Sequence, residues 1–447
     1  MIVEVPLLRD FFYGKTFRLV SYRQTGFMKE DILQYIWRQK LIPLKNLRTV
    51  DDESIQILHP GNFNTDGGPD FLEAKIRIGE TILAGSIEIH VRSSDWKAHR
   101  HSLDQKYSNV ILHVVYFHDE KESLLPVLEM NGKIPPLVLQ KYRALMESTS
   151  QLPCEPFWND VDTIIWKSFK ERLVVERLER KSEMILYLLN QKNNDWLQVI
   201  YQLLGKYFGG KVNRFAFEML MEKLDYKILL KHADDHFQLE ALLFGVAGLL
   251  HDPQDEHTMR LQQEFAYFQQ KYHLVALPVH YWNFLRIRPA SFPTIRLALF
   301  ADLIYRTPQF SRLTDFKKAQ LILQQLCASA YWDEHYVFGK PVEKMVKRLG
   351  VSSVDMLLIN VCIPLQYAYA KNMQQPGVME EAMELLETLR GEQNARTKIF
   401  QGLLPAERSA YDSQAMLELY DRYCTSKKCL QCRIGHKIVQ ANVRLKE

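Results

Sequence analysis

Cysteine is scarce in this chain: six in 447 residues, at Cys154, Cys327, Cys362, Cys424, Cys429 and Cys432. Thiols so few and so unevenly spaced do not make a disulfide scaffold, and a reducing, cytoplasmic setting fits them best. Long apolar runs are missing as well, and no stretch of about 18 apolar residues is expected to span a membrane. Neither sign of charge dominates: a net charge of +4 permits a nucleic-acid partner without requiring one. With 47% hydrophobic and 25% charged residues, the composition excludes a disordered chain, a collagen-like fibre and a coiled-coil rod. What remains is a chain able to bury large cores and long enough for two or three domains of roughly 100–200 residues.

Residues 1–27 hold Lys15, Arg18 and Arg23 among aromatics but neither a compact apolar core nor a small-residue cleavage site, so they predict no signal peptide. Met28 is an alternative start, and 1–27 reads as an N-terminal extension. From residue 29 to 39, Ile32, Tyr35 and Ile36 share a helical stripe, with Glu30 and Asp31 in the first turn where the helix dipole favours acids. Four stretches of β-formers follow, over 54–58, 71–78, 82–91 and 110–117, separated by Gly, Asn and Asp clusters. After Pro153 the pattern turns to long helical periods, for example over 162–189, 196–207, 214–221, 238–250, 259–272 and 379–389. The expected organisation is an α/β domain over 28–150, a helical domain over 151–420 and a cysteine-bearing basic tail over 421–447.

Chemistry concentrates between His59 and His118. The run Asn62 to Phe71 is dense in turn formers and enters a strand after Pro69-Asp70, which aims the Asp70 carboxylate at a strand edge. With a turn near Gly79-Glu80, Ile78 opposes Thr81, and simple counting then puts Glu88 opposite Phe71 and Ser86 opposite Glu73. One strand face would carry Glu73, Lys75, Arg77, Ser86, Glu88 and His90, and the other Ile76, Ile78, Ile87, Ile89 and Val91. Asp70 falls on the face opposite Glu88 unless a turn or bulge re-aims it. Two carboxylates at strand ends suit a hard divalent cation, Mg²⁺ or Mn²⁺, with room left for water and a substrate phosphate. The plain alternative is a turn cap at Asp70 and a solvated strand face at Glu88 and His90. A third reading takes His99, His101 and Asp104, with His90 and His113, as an imidazole site for zinc or manganese. It is disfavoured if His99 and His101 lie on a helix, where residues two apart face away from each other.

Pro69-Asp70 followed by Glu88-Ile89-His90 on the next strand resembles the Pro-Asp…(Asp/Glu)-x-Lys nuclease superfamily. The resemblance implies an α+β, restriction-endonuclease-like mixed sheet flanked by helices. It implies Asp70 and Glu88 as metal ligands, the Ile89 carbonyl as a third, Glu30 as the first-helix acid, and DNA or RNA as substrate. His90 stands where that pattern has lysine, and either His90 itself, as general base, or Lys75 on the neighbouring strand would position the attacking water. More broadly, the run from Gly68 to Val115 closely resembles the bacterial family known as domain of unknown function 2851, over nearly the full length from Met28, including 286–296 and 423–435. The competing functional reading is a non-catalytic module that binds nucleic acid or protein.

In the tail, Cys424, Cys429, Cys432 and His436 have the close spacing of a metal knuckle. With His436 they would form a Cys₃His zinc site; with distant Cys154, a Cys₄ set for zinc or an iron–sulfur cluster. Some nucleases of the resembled superfamily bind such a cluster through a C-terminal cysteine triplet and one upstream cysteine. Cys327 and Cys362 read as core residues. Arg286, Arg288 and Arg296, near Trp282 and Phe292, would either contact phosphate and stack on bases or bridge helices. Lys427, Lys428, Arg433 and Lys437 would suit a phosphate backbone.

Overall fold

A computed structural model describes residues 28–404 and 409–443; the expected extension 1–27 lies outside them. The chain divides into two compact units, the second being Lys167–Tyr420 and the first everything described before and after it. The tail from Asp421 is therefore grouped with the N-terminal unit, and the first boundary falls at Trp166, not at 150. Long-range bonds within the first unit show why. Lys141, buried on helix α3 (Pro136–Glu147), donates through Nζ to the carbonyls of Ile438 and Ala441 at 3.0 and 2.8 Å, holding the last turn of the C-terminal helix Arg433–Gln440.

The first unit is built on one mixed sheet. Its strands are β1 (Leu47–Arg48), β2 (Ser54–His59), β3 (Asn62–Phe63), β4 (Phe71–Ile78), β5 (Thr81–Arg92), β6 (Val110–Phe117) and β7 (Val127–Glu129), in the order β1-β2-β4-β5-β6-β7 with β3 beside β4. The pairs β2/β4 and β4/β5 are antiparallel, whereas β5/β6 and β6/β7 are parallel. Helix α1 (Glu30–Arg38) precedes the strands and buries Ile32, Leu33 and Ile36. The hairpin between β4 and β5 turns at Gly79, whose φ of +54° suits glycine, and Ile78 faces Thr81.

A bulge then changes the register. Glu73 adopts φ +59°, pairing shifts between Phe71 and Ala74, and Phe71 meets Ile87 in place of the expected Glu88. The next step along the two strands brings Asp70 beside Glu88, which strict alternation without the bulge would have prevented. Strand β5 is buried continuously from Gly85 to His90, because it is central and parallel to β6 with both faces covered. Glu88 and His90 thus lie inside, not on a solvated face.

The link from β5 to β6 is short: one helical turn, α2 (Asp95–Ala98), then two 3₁₀ turns, His101–Leu103 and Gln105–Tyr107. Arg100 is left-handed at φ +59°, so the helix expected to carry both His99 and His101 ends before either.

The second unit is helical, with a core including Leu242, Phe244, Leu299 and Phe300. One helical stretch among the described residues, Val351–Asn372, has the length and mean hydropathy of a membrane span, but two-thirds of its apolar window is buried, as in a core helix.

Candidate functional site

The acids meet across β4 and β5. The Asp70 amide donates to Glu88 Oε2 at 3.1 Å, and the Ile89 amide donates to Asp70 Oδ2 at 3.0 Å. In an extended strand a residue's N–H and C=O project to the same edge, so the Ile89 carbonyl faces the Asp70 side too. Gln34, one turn along α1 from Glu30, donates to Asp70 Oδ1 at 2.8 Å. Burial pushes the Asp70 carboxyl up to about 6 against the pull of the Ile89 and Gln34 hydrogen bonds. Burial, then the charge of Asp70, pushes Glu88 up to about 8. Burial also raises Glu30, followed by the charge of Asp70. The three carboxyls share a desolvated spot, where each disfavours the ionisation of its neighbours.

The expected lysine does not arrive. Lys75 is exposed and pairs with Ala84, four residues short of Glu88, a separation of about 13 Å along an extended strand. The bulge that brings Asp70 to Glu88 lies between Lys75 and that site.

Imidazoles fill the space instead. His90 Nε2 lies 3.2 Å from His99 Nδ1, 3.3 Å from His101 Nε2 and 3.4 Å from Glu88 Oε1. His101 Nε2 is also 3.4 Å from Glu88 Oε1. On its other side, His90 Nδ1 meets His113 Nε2 at 2.9 Å. His101 stacks on Tyr107 with ring centroids 3.8 Å apart, and Trp96 packs edge-on to His101 at 5.3 Å. Burial, reinforced by neighbouring imidazoles, lowers His113 to about 4 and moves His90 further down, so both rings are neutral at pH 7. Because α2 stops at Ala98 and Arg100 reverses the backbone, His99 and His101 converge rather than diverge. Asp104 instead caps the following turn, accepting from the Lys106 amide. Gln34 and Tyr107 were not anticipated; Gln34 was legible as a position one helical turn from Glu30, Tyr107 only through the turn geometry.

Away from this site, Cys154, Cys424, Cys429 and Cys432 are all buried. They lie close enough to influence one another: burial and then the charges of Cys154, Cys432 and Cys429 raise the Cys424 thiol. Burial, then Cys432 and Cys429, pushes Cys154 up to about 12. His436 meets the Tyr35 hydroxyl through Nδ1 at 2.9 Å. Lys427 donates to the carbonyls of Met146 and Ser148 at 2.6 and 2.8 Å, closing the end of α3, so this lysine is structural and not a free phosphate ligand. Lys428, Arg433 and Lys437 are exposed. In the second unit, Arg296 is half-buried and donates to Ser353 Oγ at 2.8 Å, a bridge between helices, whereas Arg286 and Arg288 are exposed. Cys362 is fully buried among apolar helices and Cys327 is partly exposed.

Residues 30–395 match the family described as Protein of unknown function (DUF2851), and the chain belongs to that family. No curated protein and no solved structure matches it.

Proposed function

We propose that this member of the DUF2851 family is a divalent-metal-dependent hydrolase of phosphodiester bonds in DNA or RNA, built on a restriction-endonuclease-like core. The observation that carries this reading is the meeting of Asp70 and Glu88 across the β4–β5 bulge, with the Ile89 backbone between them and Glu30 nearby. The order of α1, an antiparallel trio, a crossover and a parallel strand supports it. Asp70, Glu88, the Ile89 carbonyl and Glu30 would hold Mg²⁺ or Mn²⁺. Such an ion, when bound, polarises a phosphoryl oxygen and acidifies water. The chain itself orients Asp70 through Gln34 and the Ile89 amide. It offers neutral imidazoles, not an ammonium, as proton acceptors beside the acids. Gln34 also lines a cavity of about 210 Å³ with Arg38 and Lys428, cations that a phosphate backbone would meet.

The test is incubation of the full chain with single- and double-stranded DNA and RNA plus Mg²⁺ or Mn²⁺, comparing wild type with Glu88→Ala. Cleavage lost in the variant is expected, and equal products from both proteins would sink the reading. The exposed position of Lys75, far from Glu88, favours a second reading, a module that binds nucleic acid or protein without turnover. That reading predicts metal-insensitive binding to the same strands and no cleavage.

We further infer that Cys154, Cys424, Cys429 and Cys432 hold an iron–sulfur cluster. Cys154 joins the triplet while His436 is engaged by Tyr35, which favours the Cys₄ set over Cys₃His. Anaerobically purified protein is expected to be coloured and to contain iron and sulfide, and Cys154→Ser to lose both.

A further inference from the structure

We propose that His90, His99 and His101, together with Glu88, form a binding site for a single transition-metal ion such as Zn²⁺, Mn²⁺ or Fe²⁺. The ligand atoms of these three imidazoles all lie within 4.8 Å of one another. The distances His90–His99, His90–His101, His90–Glu88 and His101–Glu88 are 3.2, 3.3, 3.4 and 3.4 Å. Ligand atoms about 2.0–2.1 Å from a tetrahedral metal stand about 3.3–3.4 Å apart, so four edges of the arrangement already have the required length. Glu88 flanks the trio on its His90–His101 edge.

Protons alone satisfy this arrangement poorly. His90 Nε2 faces two ring nitrogens and one carboxylate oxygen, and a neutral imidazole has one N–H to offer. Here Nδ1 already lies at hydrogen-bonding distance from His113. If that nitrogen carries the proton, Nε2 can only accept, although two ring nitrogens and a carboxylate oxygen crowd it. A cation at the centre relieves the conflict, and the donor set of imidazole nitrogens with one carboxylate suits borderline metals better than Mg²⁺.

The surroundings are those of a prepared site. His113 occupies the outer position that orients a ligating imidazole, and the Asp70 amide holds the second Glu88 oxygen. Tyr107 and Trp96 fix the His101 ring. His99 is exposed and leaves one side open to solvent. Such an ion would also supply the positive charge that Lys75 does not bring to the acids. The inference shares Glu88 with the hydrolytic reading but does not require turnover.

The test uses metal-stripped full-length protein titrated with Co²⁺ and followed by visible absorption. Cobalt at the imidazole site gives ligand-field bands without the near-ultraviolet thiolate charge transfer that would mark the cysteines. Wild type is expected to show this component and lose it to competing Zn²⁺. His99→Ala, which changes an exposed side chain and keeps the fold by circular dichroism, should weaken it by at least about 100-fold. His113→Ala should weaken it about 10–100-fold, while His59→Ala on exposed β2 leaves it intact. Absence of the component in wild type, or undiminished binding in both His99→Ala and His90→Ala, would overturn the proposal. Cobalt bound here by a protein that cuts nothing would reject only the hydrolytic reading.

Discussion

Glu88 is the residue on which both metal readings turn, and its environment predicts the outcome of replacing it. In the metal-free protein its carboxyl is buried beside Asp70 and raised to about 8, first by desolvation. Glu88→Gln keeps an oxygen for the Asp70 amide while removing the repulsion. The metal-free variant is expected to melt at or above wild type but to gain nothing from added Zn²⁺ or Mn²⁺. Differential scanning fluorimetry with and without metal checks both halves, and a metal-induced shift equal to wild type would contradict the assignment. In the second unit, Glu240 supplies a pH prediction. It is fully buried, accepts from Ser329 and Trp332, and is raised to about 7 by burial. His236 and His257 stand 3.9 and 4.0 Å away, and Asp302 is the acid that adds to the upward shift. A carboxyl raised on folding favours the protonated fold, so its stability contribution is fully present below about pH 4.5 and lost as pH rises through about 7. Glu240→Gln, which keeps an acceptor, should therefore exceed wild type in stability at pH 8 and converge with it near pH 4. The pH 8 difference should be on the order of 3 kcal/mol by urea unfolding. A difference independent of pH would refute the argument.

Among the elements, the close crossing of β5 and β6 depends on Gly85. A Cβ there would stand 2.4 Å from the Asn109 carbonyl oxygen and 2.6 Å from Ile111. Gly85→Ala should cost about 1–3 kcal/mol, since backbone must move, and should disturb the crossover that carries the histidines; thermal melts and cobalt binding measure the two effects. Gly435 has the same role at the cysteines, where a Cβ would lie 2.2 Å from the Cys429 carbonyl oxygen. Gly435→Ala is expected to lower iron content on purification, and full retention of iron would show that the crossing tolerates a methyl. Element identity was largely legible in advance. Strand β4 shows its alternation of Phe71, Ala74, Ile76 and Ile78 inside with Glu73, Lys75 and Arg77 outside. The bulge at Glu73 was not legible, because no glycine marks its left-handed position. The early end of α2 was hidden for the same reason at Arg100.

For the whole molecule, two compact units imply separable stabilities. The candidate metal sites belong to the first unit and Glu240 to the second. A site that binds metal only when folded stabilises by about 2.7 kcal/mol at a hundredfold excess over Kd. Chelation should therefore lower protection of β5 and β6 amides in hydrogen exchange while leaving the helix His236–Val246 unchanged. Equal loss in both would argue against a metal confined to the first unit. The sequence by itself determined an α/β region followed by helices, the pairing of Asp70 with Glu88 as candidates, and the cysteine triplet, because those rest on local periodicity and short spacing. Only the tertiary structure decided that Asp70 reaches Glu88 while Lys75 does not, that His99 and His101 converge on His90, and that Cys154 is buried within electrostatic reach of cysteines about 270 residues later in the chain. Each of these depends on a left-handed residue, a strand crossing or a long-range docking, and none of them leaves a periodic trace in the sequence.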